Sequence, residues 1–160
     1  MEDYKAAVDA AFKARSERIA EAEKKKAEIH EARREFLTNF QVFLDSVVMP
    51  VFEEFGRFYA RDNYSYRIEK NQEPKPNETD LGPWARILFT PKGLEKLSLT
   101  TFPHLEVRAN KDELVVELYE LLKRGKKDEL AELVAQVKIE NADAALLRKH
   151  LVRMVTEILG

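Results

Sequence analysis

The chain has 160 residues, of which 44% are hydrophobic and 35% are charged, and its formal net charge is −2. This composition predicts one folded domain with an extension, and it provides no overall attraction to nucleic acid or to anionic lipid. The absence of cysteine excludes disulfides, thiolate nucleophiles and cysteine-based zinc sites. The first residues lack the layout of a signal peptide, and no apolar run reaches the roughly 20 residues of a membrane span. We therefore expect a soluble, cytoplasmic protein with no membrane partner.

Residues 4–59 form an almost uninterrupted helical pattern, with no glycine or proline before Pro50. Two sets of positions, each repeating every seven residues, form a heptad pattern along it. The first set is Phe12, Ile19, Lys26, Arg33, Phe40 and Val47, and the second is Val8, Arg15, Ala22, Ile29, Phe36 and Phe43. A helix of this length would extend roughly 80 Å. A small domain cannot bury all of it, so we expect part of the helix to project or to pair with another helix.

The two parts of this helix differ in their apolar content. Residues 1–35 are rich in alanine and in charged side chains, whereas residues 36–59 carry a wide aromatic and aliphatic stripe that must lie on a core. We therefore predict a projecting arm at 1–35 and a small α+β domain at 36–160. Pro50 removes a backbone donor, so we expect a kink or a break there. The predicted oligomerisation seam consists of Val8, Phe12, Ile19, Ala22, Ile29 and Phe36.

The period of the pattern changes after this helix. Tyr64–Lys70 and residues 84–90 alternate and are rich in β-formers, which predicts two strands separated by a loop that contains proline and glycine. A third extended stretch contains Pro103, which predicts a bulge or an edge there. One face of this stretch carries Leu97, Leu99, Thr101, Leu105, Val107 and Ala109.

Residues 111–140 can be interpreted in two ways. Residues 112–124 fit an amphipathic helix ended by Gly125, but 114–120 and 131–139 also alternate as strands do. We favour strands, because they complete the meander that the earlier strands begin. One face of the second strand carries Ala131, Leu133, Ala135, Val137 and Ile139. Asn141 or Asp143 caps a final helix, whose buried stripe consists of Leu147, Leu151, Val155 and Ile158.

Three short runs resemble a layout found in uncharacterised bacterial proteins. They are the run from Val48 to Gly56, the run from Tyr66 to Glu69, and the run from Phe102 to Val107. The resemblance implies a long N-terminal helix joined to a small antiparallel meander and a C-terminal helix. The residues that carry it are apolar and turn positions, so it implies no activity.

Residues that could carry out chemistry are few and scattered. His30, His104 and His150 have no spacing typical of a metal site, so we interpret them as structural or surface histidines. The chain has no nucleophile elbow and no glycine-rich phosphate loop. Glu53 and Glu54 point in different directions on a helix, which favours a solvated face over a carboxylate pair. We therefore predict a protein that is not an enzyme and needs no cofactor or metal.

One basic cluster brackets Gly125 and consists of Lys123, Arg124, Lys126 and Lys127. We interpret it first as a solvated turn and second as a contact for phosphate or for an acidic partner. The first two predicted strands carry three aromatic residues, Tyr64, Tyr66 and Trp84, near Arg67 and Arg86. Aromatic side chains on an open sheet with nearby arginines can stack bases. Such aromatic residues are more often cross-strand pairs or core residues. We therefore do not expect nucleic-acid binding.

These patterns together predict an α+β fold with a long helix, a four- or five-stranded antiparallel meander and a C-terminal helix. The function that they favour is a non-catalytic module that forms a homodimer, or binds another protein, through residues 4–35. The alternatives are a nucleic-acid adaptor that uses the sheet and the basic turn, and a domain that binds a small ligand. The sequence leaves open whether two arms would pair in parallel or antiparallel.

Overall fold

A computed structural model describes residues 2–61, 63–71, 82–91, 100–122, 125–126 and 131–160. Its α-helices in these ranges are α1 (Glu2–Phe43), α2 (Met49–Tyr59) and α3 (Ala144–Leu159). Its strands there are β1 (Tyr64–Lys70), β2 (Trp84–Pro91), β3 (Thr100–Thr101), β4 (His104–Asn110), β5 (Val115–Leu121), β6 (Gly125–Lys126) and β7 (Glu132–Lys138). This arrangement confirms the predicted α+β fold, including the strands that we favoured over helices between residues 111 and 140.

The chain divides into two compact units, Met1–Glu35 and Phe36–Gly160. The first unit is the N-terminal part of α1, where every described side chain is exposed apart from that of Ala32, which is partly covered. Its alanines and long charged side chains keep a helix stable without a core, because they lose little conformational freedom in a helix. Among the residues that the structure describes, the buried apolar side chains of the core all belong to the second unit. That the first unit projects from the second stays a prediction.

A short π-helical segment, Leu44–Val48, joins α1 to α2. The backbone N–H of Met49 donates to the carbonyl of Leu44, one residue further back than in an α-helix. The adjacent side chains of Phe43 and Leu44 are both buried at this wider turn. Pro50 follows in the first turn of α2, where a missing backbone donor costs little. The irregularity that we expected at Pro50 is therefore present just before it. It takes the form of a short π-helical segment between two α-helices.

The main sheet has five antiparallel strands in the order β1-β2-β4-β5-β7. One face of the sheet packs with α2 and α3 into a core that begins at Phe36, and we call it the helix face. Its fully buried side chains include those of Ile87, Leu105 and Leu118, which are 0% exposed. We call the opposite face the outer face.

The predicted third extended stretch is interrupted at Pro103. β4 belongs to the main sheet, whereas β3 pairs with β6 in a separate two-stranded sheet. The carbonyl of Pro103 accepts a hydrogen bond of 2.8 Å from the backbone N–H of Phe89, so the proline lies where the chain passes between sheets. Leu97 and Leu99 lie outside the described residues. The core contains the other predicted apolar positions, Leu105, Val107 and Ala109.

The face predicted for Leu133 is wrong, because β7 contains a bulge. Leu118 of β5 faces Ala135, but the next residue, Tyr119, faces Leu133, which leaves Val134 as an extra residue. An extra residue reverses the alternation of side chains beyond it. Leu133 is therefore turned to the outer face, where it is 50% exposed. Val134 packs against the core instead.

Close packing between α2 and β1 requires a glycine at position 56. A Cβ atom at this position would overlap the aromatic ring of Tyr66. The hydroxyl of Tyr66 donates a 2.8 Å hydrogen bond to Glu53, which holds the ring over the glycine. Glu54 forms a 3.1 Å ion pair with Arg148 of α3. We expected these two glutamates to lie on a solvated helix face. Each carboxylate instead joins α2 to another element, Glu53 to β1 and Glu54 to α3.

Candidate functional site

The strongest candidate for a functional surface is the row of heptad positions on the first unit. Their spacing of three and four residues returns each side chain to the same helix face. Four large apolar side chains of this row are more than half exposed: Val8 at 52%, Phe12 at 64%, Ile19 at 51% and Ile29 at 54%. Ala22, between them, is exposed as well. Isolated exposed apolar residues are common, but an aligned row of them is typical of an interaction surface.

Phe36 differs from this row, although the sequence pattern includes it. Its side chain is only 5% exposed and packs in the core of the second unit, with its ring centroid 6.2 Å from that of Phe40. Phe36 is therefore covered by its own chain, and we omit it from the candidate surface. We call the heptad positions from Val8 to Arg33 the exposed seam.

Three basic side chains interrupt the exposed seam, at Arg15, Lys26 and Arg33. All three are exposed. A charged residue at such a position weakens an apolar helix pairing but restricts the partner and the register. Acidic side chains lie directly beside the seam, at Asp9 and Glu23. The exposed seam therefore combines apolar contact area with charges that can distinguish between pairing arrangements.

The outer face of the sheet carries a network of charged side chains. Arg86 lies between two carboxylates, 2.8 Å from Glu69 and 3.8 Å from Glu106. Arg67 forms a 2.9 Å ion pair with Glu69, and Arg108 forms a 2.6 Å ion pair with Glu106. Burial raises the pKa of Glu106, while the neighbouring Arg108 and Arg86 oppose that shift. Arg86 and Arg108 thus compensate the carboxylate of Glu106, which would otherwise be buried alone.

This network bears on the predicted base-stacking surface. The guanidinium of Arg86 lies 4.6 Å from the ring centroid of Trp84, so the indole already stacks on a cation. Tyr64 and Tyr66 point to the helix face, because they alternate with the outward-facing Arg67. The structure therefore does not bring these aromatic residues together on one side of the sheet.

The predicted basic turn is described only in part. Lys126 lies in β6, the short strand that pairs with β3. The remaining members of the basic cluster lie outside the described residues, and these are Lys123, Arg124 and Lys127. Their contact with phosphate or with an acidic partner stays a prediction.

An apolar groove of about 510 Å³ lies between the C-terminal halves of α2 and α3 and the start of β1. Its walls include Phe58 and Val152, which are 58% and 55% exposed. Arg61 lies at the groove and donates a 3.2 Å hydrogen bond to the carbonyl of Phe58. No pattern in the sequence predicted this groove. The feature of the sequence that could have indicated it is a second set of apolar positions in α3. Val152 and Leu159 form this set, and they lie outside the predicted buried stripe.

A buried carboxylate on the helix face was also not anticipated. Glu120 is 4% exposed and accepts two hydrogen bonds, of 2.6 and 2.8 Å, from Arg153 of α3. The Nδ1 atom of His150 lies 3.9 Å from this carboxylate and is buried without a hydrogen-bond partner among the described residues. Desolvation lowers the pKa of His150, although Glu120 opposes the shift. These three side chains join α3 to β5.

The other two histidines have different surroundings. His104 is buried on the outer face, and its Nδ1 atom lies 2.9 Å from the carbonyl of Phe102. Desolvation lowers the pKa of His104. His30 is exposed on α1. Within the described ranges, no group of three or more histidine, aspartate or glutamate side chains is arranged to hold a metal ion.

Comparisons of the chain with protein families, with curated proteins and with solved structures gave no match. The resemblance to bacterial proteins of similar layout therefore stays a prediction. No helix in the described part of the chain is both long enough and apolar enough to cross a membrane. The cytoplasmic location stays a prediction as well.

Proposed function

We propose that this protein is a non-catalytic module that forms a homodimer through the arm at residues 4–35. The observation that carries this proposal is the exposed row formed by Val8, Phe12, Ile19 and Ile29 on one face of α1. A helix that exposes large apolar side chains at heptad spacing is stabilised when a second helix covers them. The arm thus has a surface that favours assembly.

The expected affinity follows from the size of this surface. Fully burying a large apolar side chain contributes about 1.5–3 kcal/mol. Two copies bring together eight such side chains, each already about half covered, so their burial contributes on the order of 10 kcal/mol. The association entropy opposes this with roughly 4–15 kcal/mol. The net gain is therefore at most about 6 kcal/mol, which corresponds to a Kd of roughly tens of micromolar. We expect a reversible dimer and not a permanent assembly.

Light scattering of the full chain over a range of concentrations tests this proposal. We expect a dimer at tens of micromolar for the wild type, and a monomer for Ile19→Glu, because this change places a carboxylate in the exposed seam. The matched control is Ala20→Glu, which adds the same charge one position away, off the seam. The control should remain dimeric.

Two results would contradict the proposal. A wild-type chain that stays strictly monomeric at these concentrations excludes the homodimer and leaves a different protein as the partner of the arm. A dimer that persists in Ile19→Glu places the interface elsewhere on the molecule. Circular dichroism of each variant must first show that α1 is still helical.

The apolar groove supports a second candidate function, the binding of a small ligand. Its volume of about 510 Å³ lies within the range of roughly 300–1,000 Å³ that is usual for ligand pockets. Because its walls are aromatic and aliphatic and Arg61 lies at its edge, the groove suits an apolar molecule with one anionic group. We propose this function for the second unit alone, independently of the arm.

An anionic naphthalene sulfonate dye is a suitable probe for the groove. We expect its fluorescence to increase with the wild-type chain and to fall strongly with Val152→Asp. Leu133→Asp is the matched control, because Leu133 is similarly exposed, at 50%, and does not line the groove. Equal loss of signal in both variants, or no signal with the wild type, would remove the groove as a ligand site.

A further inference from the structure

We propose that two copies of the arm pair antiparallel, in the register that sets Phe12 of one copy against Ala22 of the other. This inference rests on the proposed function, because it specifies how the homodimer is built. Its basis is the position of the three basic residues in the exposed seam and the size of the apolar ones between them. The occupant of the exposed seam is thus the same seam on a second copy of the chain.

A parallel pairing in register is unfavourable for this seam. In that arrangement each seam residue faces its own counterpart, so Arg15 meets Arg15, Lys26 meets Lys26 and Arg33 meets Arg33. Three layers would then bring like charges together within an otherwise apolar contact. Two like charges 4 Å apart repel by about 1 kcal/mol even in water, and by more where apolar neighbours exclude water. The parallel dimer would have to overcome this repulsion in each of the three layers.

Antiparallel pairing joins positions of the first heptad set to positions of the second, and the possible registers differ by one heptad. The register that sets Phe12 against Ile29 also sets Arg15 against Lys26, and this repulsion occurs twice by symmetry. The next register along sets Arg15 against Arg33, again twice. Both registers are therefore unfavourable for the same reason as the parallel dimer.

Three antiparallel registers that cover Phe12 keep the seam's basic residues apart. The one that sets Phe12 against Val8 also sets Arg15 against Lys5, which is unfavourable as well. Side-chain size distinguishes between the other two. In one, the ring of Phe12 faces the long side chain of Arg15. In the proposed one, the same ring faces Ala22, whose methyl group leaves room for it. Large residues that face small ones allow two helices to pack closely.

The proposed register also matches the length of the exposed part of α1. It brings residues 2–32 of the two copies together, so the contact ends before Phe36, which is already buried by its own chain. The register that sets Phe12 against Arg15 covers one heptad less. The proposed pairing is therefore the longest that avoids both the buried part of the helix and the meeting of basic seam residues.

Each basic residue near the centre of this pairing has a suitable neighbour on the second copy. Arg15 faces Ile19, and its methylene groups can lie along that side chain while the guanidinium stays in water. Lys26 faces Val8 in the same way. Asp9 follows Val8, and Glu23 precedes Lys26 by one helical turn, so a carboxylate from each copy lies within reach of the ammonium.

Two contacts beside the seam oppose the arrangement. Asp9 of one copy lies next to Glu23 of the other, where the ammonium of Lys26 offsets their repulsion. Arg18 lies next to the twofold axis and faces Arg18 of the second copy. Both guanidiniums lie at the solvated edge of the contact, and Glu21 lies three residues along the same helix face. This repulsion is thus screened by water and by a carboxylate, whereas the repulsions of the other registers lie within the apolar seam.

The absence of cysteine makes cross-linking a clean test, since every disulfide must come from an introduced residue. Full-length Phe12→Cys and Ala22→Cys chains are mixed in equal amounts and oxidised. We expect the mixed disulfide to exceed each self-linked species by about tenfold, because a disulfide needs Cα atoms closer than about 7 Å. A second pair, Val8→Cys with Lys26→Cys, tests another layer of the same register. Ala14→Cys, off the seam, is the control and should give little product.

The outcomes separate this inference from the function on which it rests. Self-linked Phe12→Cys and Ala22→Cys products, in a chain that light scattering shows to be dimeric, would overturn the antiparallel arrangement but keep the homodimer. A mixed disulfide between Phe12→Cys and Ile29→Cys, in place of the expected pair, would overturn the register. A monomeric wild type would remove both the dimer and the pairing. Light scattering of each reduced variant shows beforehand that the cysteine has not itself prevented association.

Discussion

Phe12 and Phe40 occupy equivalent heptad positions on the same helix, yet Phe12 is 64% exposed and Phe40 is 0% exposed. The local spacing is the same in both regions, so the difference comes from the surrounding sequence. Phe40 has aromatic neighbours at Phe36 and Phe43, whose ring centroids lie 6.2 Å away, and further apolar elements to pack on. Phe12 lies among alanines and charged residues. The periodicity of a helix thus determines which side chains share a face, but not what covers that face.

The largest effect should come from changing the buried member of this pair. Phe40→Ala should lower the free energy of unfolding by about 3–5 kcal/mol, because it leaves a cavity in a core that cannot collapse fully. Phe12→Ala changes the same residue type in the same heptad set and should cost less than about 0.5 kcal/mol in dilute solution. Urea denaturation monitored by the fluorescence of Trp84 measures both. Equal losses would show that one core covers both phenylalanines, against a division into two units.

Gly56→Ala tests whether the second unit depends on tight contacts that the arm lacks. The added methyl group overlaps the ring of Tyr66, so either the ring or α2 must move, and we expect a loss of about 1–3 kcal/mol. Ala14→Gly on the arm serves as a comparison, since its cost should reflect helix propensity alone, about 1 kcal/mol or less. Combining Gly56→Ala with Tyr66→Ala should recover part of the loss. If it does not, the ring is not the obstacle.

Acid should weaken the second unit through two histidines, His104, which is buried, and His150, which is largely covered. Because desolvation lowers the pKa of His104 in the folded state, the unfolded chain binds a proton first as the pH falls below about 6.5. Stability is therefore lost through that range, and the loss is complete below the folded pKa. Arg86 acts in the same direction as burial, while the Phe102 carbonyl and Glu69 oppose it. The pKa of His150 is lowered too, so it contributes in the same sense.

Urea midpoints at pH 7.5 and 5.5 measure this dependence. His104→Gln should reduce the difference between the two midpoints, whereas His30→Gln, on the exposed arm, should leave it unchanged. Glu106 has a raised pKa and so acts in the opposite sense, towards greater stability as the pH falls. Its contribution is common to the wild type and both variants, so it cancels in the comparison. If the midpoint changes by the same amount between pH 7.5 and 5.5 in the wild type and in both variants, the loss of stability in acid comes from groups other than His104.

The smallest effect is expected from removal of the arm. A chain that begins at Glu35 retains the core that starts at Phe36, so its thermal transition should stay cooperative, with little change in midpoint. Differential scanning calorimetry at a concentration where the full chain is monomeric makes the comparison. An unfolded product, or a broad transition without cooperativity, would show that the second unit needs contacts from residues before Glu35.

Much of this fold follows from periodicity, and the exceptions have local causes. The strands of the main sheet and the core positions at Leu105, Val107 and Leu118 follow from alternation, because one face of the sheet is covered by helices. Leu133 was assigned to the wrong face because a bulge adds one residue without a glycine to mark it. Phe36 was grouped with the exposed positions because heptad spacing is the same in an exposed row and in a buried one.

The contacts between distant residues were the least accessible from the sequence. Glu106 is only 5% exposed on a face expected to be polar and open, and nothing in its immediate neighbours signals this burial. The groove depends on the meeting of α2, α3 and β1, so it has no signature in any single segment. The exposed seam is the reverse case, since all of its members lie on one helix. That is why a candidate interaction surface could be proposed from spacing while the groove could not.

The π-helical segment at Leu44–Val48 has a consequence for how the chain tolerates a change in length. One α-helical residue corresponds to about 100° of rotation around the axis. The wide turn absorbs one extra residue, so that Phe40 before it and Phe55 after it lie in the same core. Deleting the exposed Ser46 would convert the wide turn to an ordinary α-helical one and leave both apolar stripes in phase. A deletion of one residue within α2 would remove a residue from a regular α-helix. It would rotate the rest of that helix by about 100°, away from the sheet.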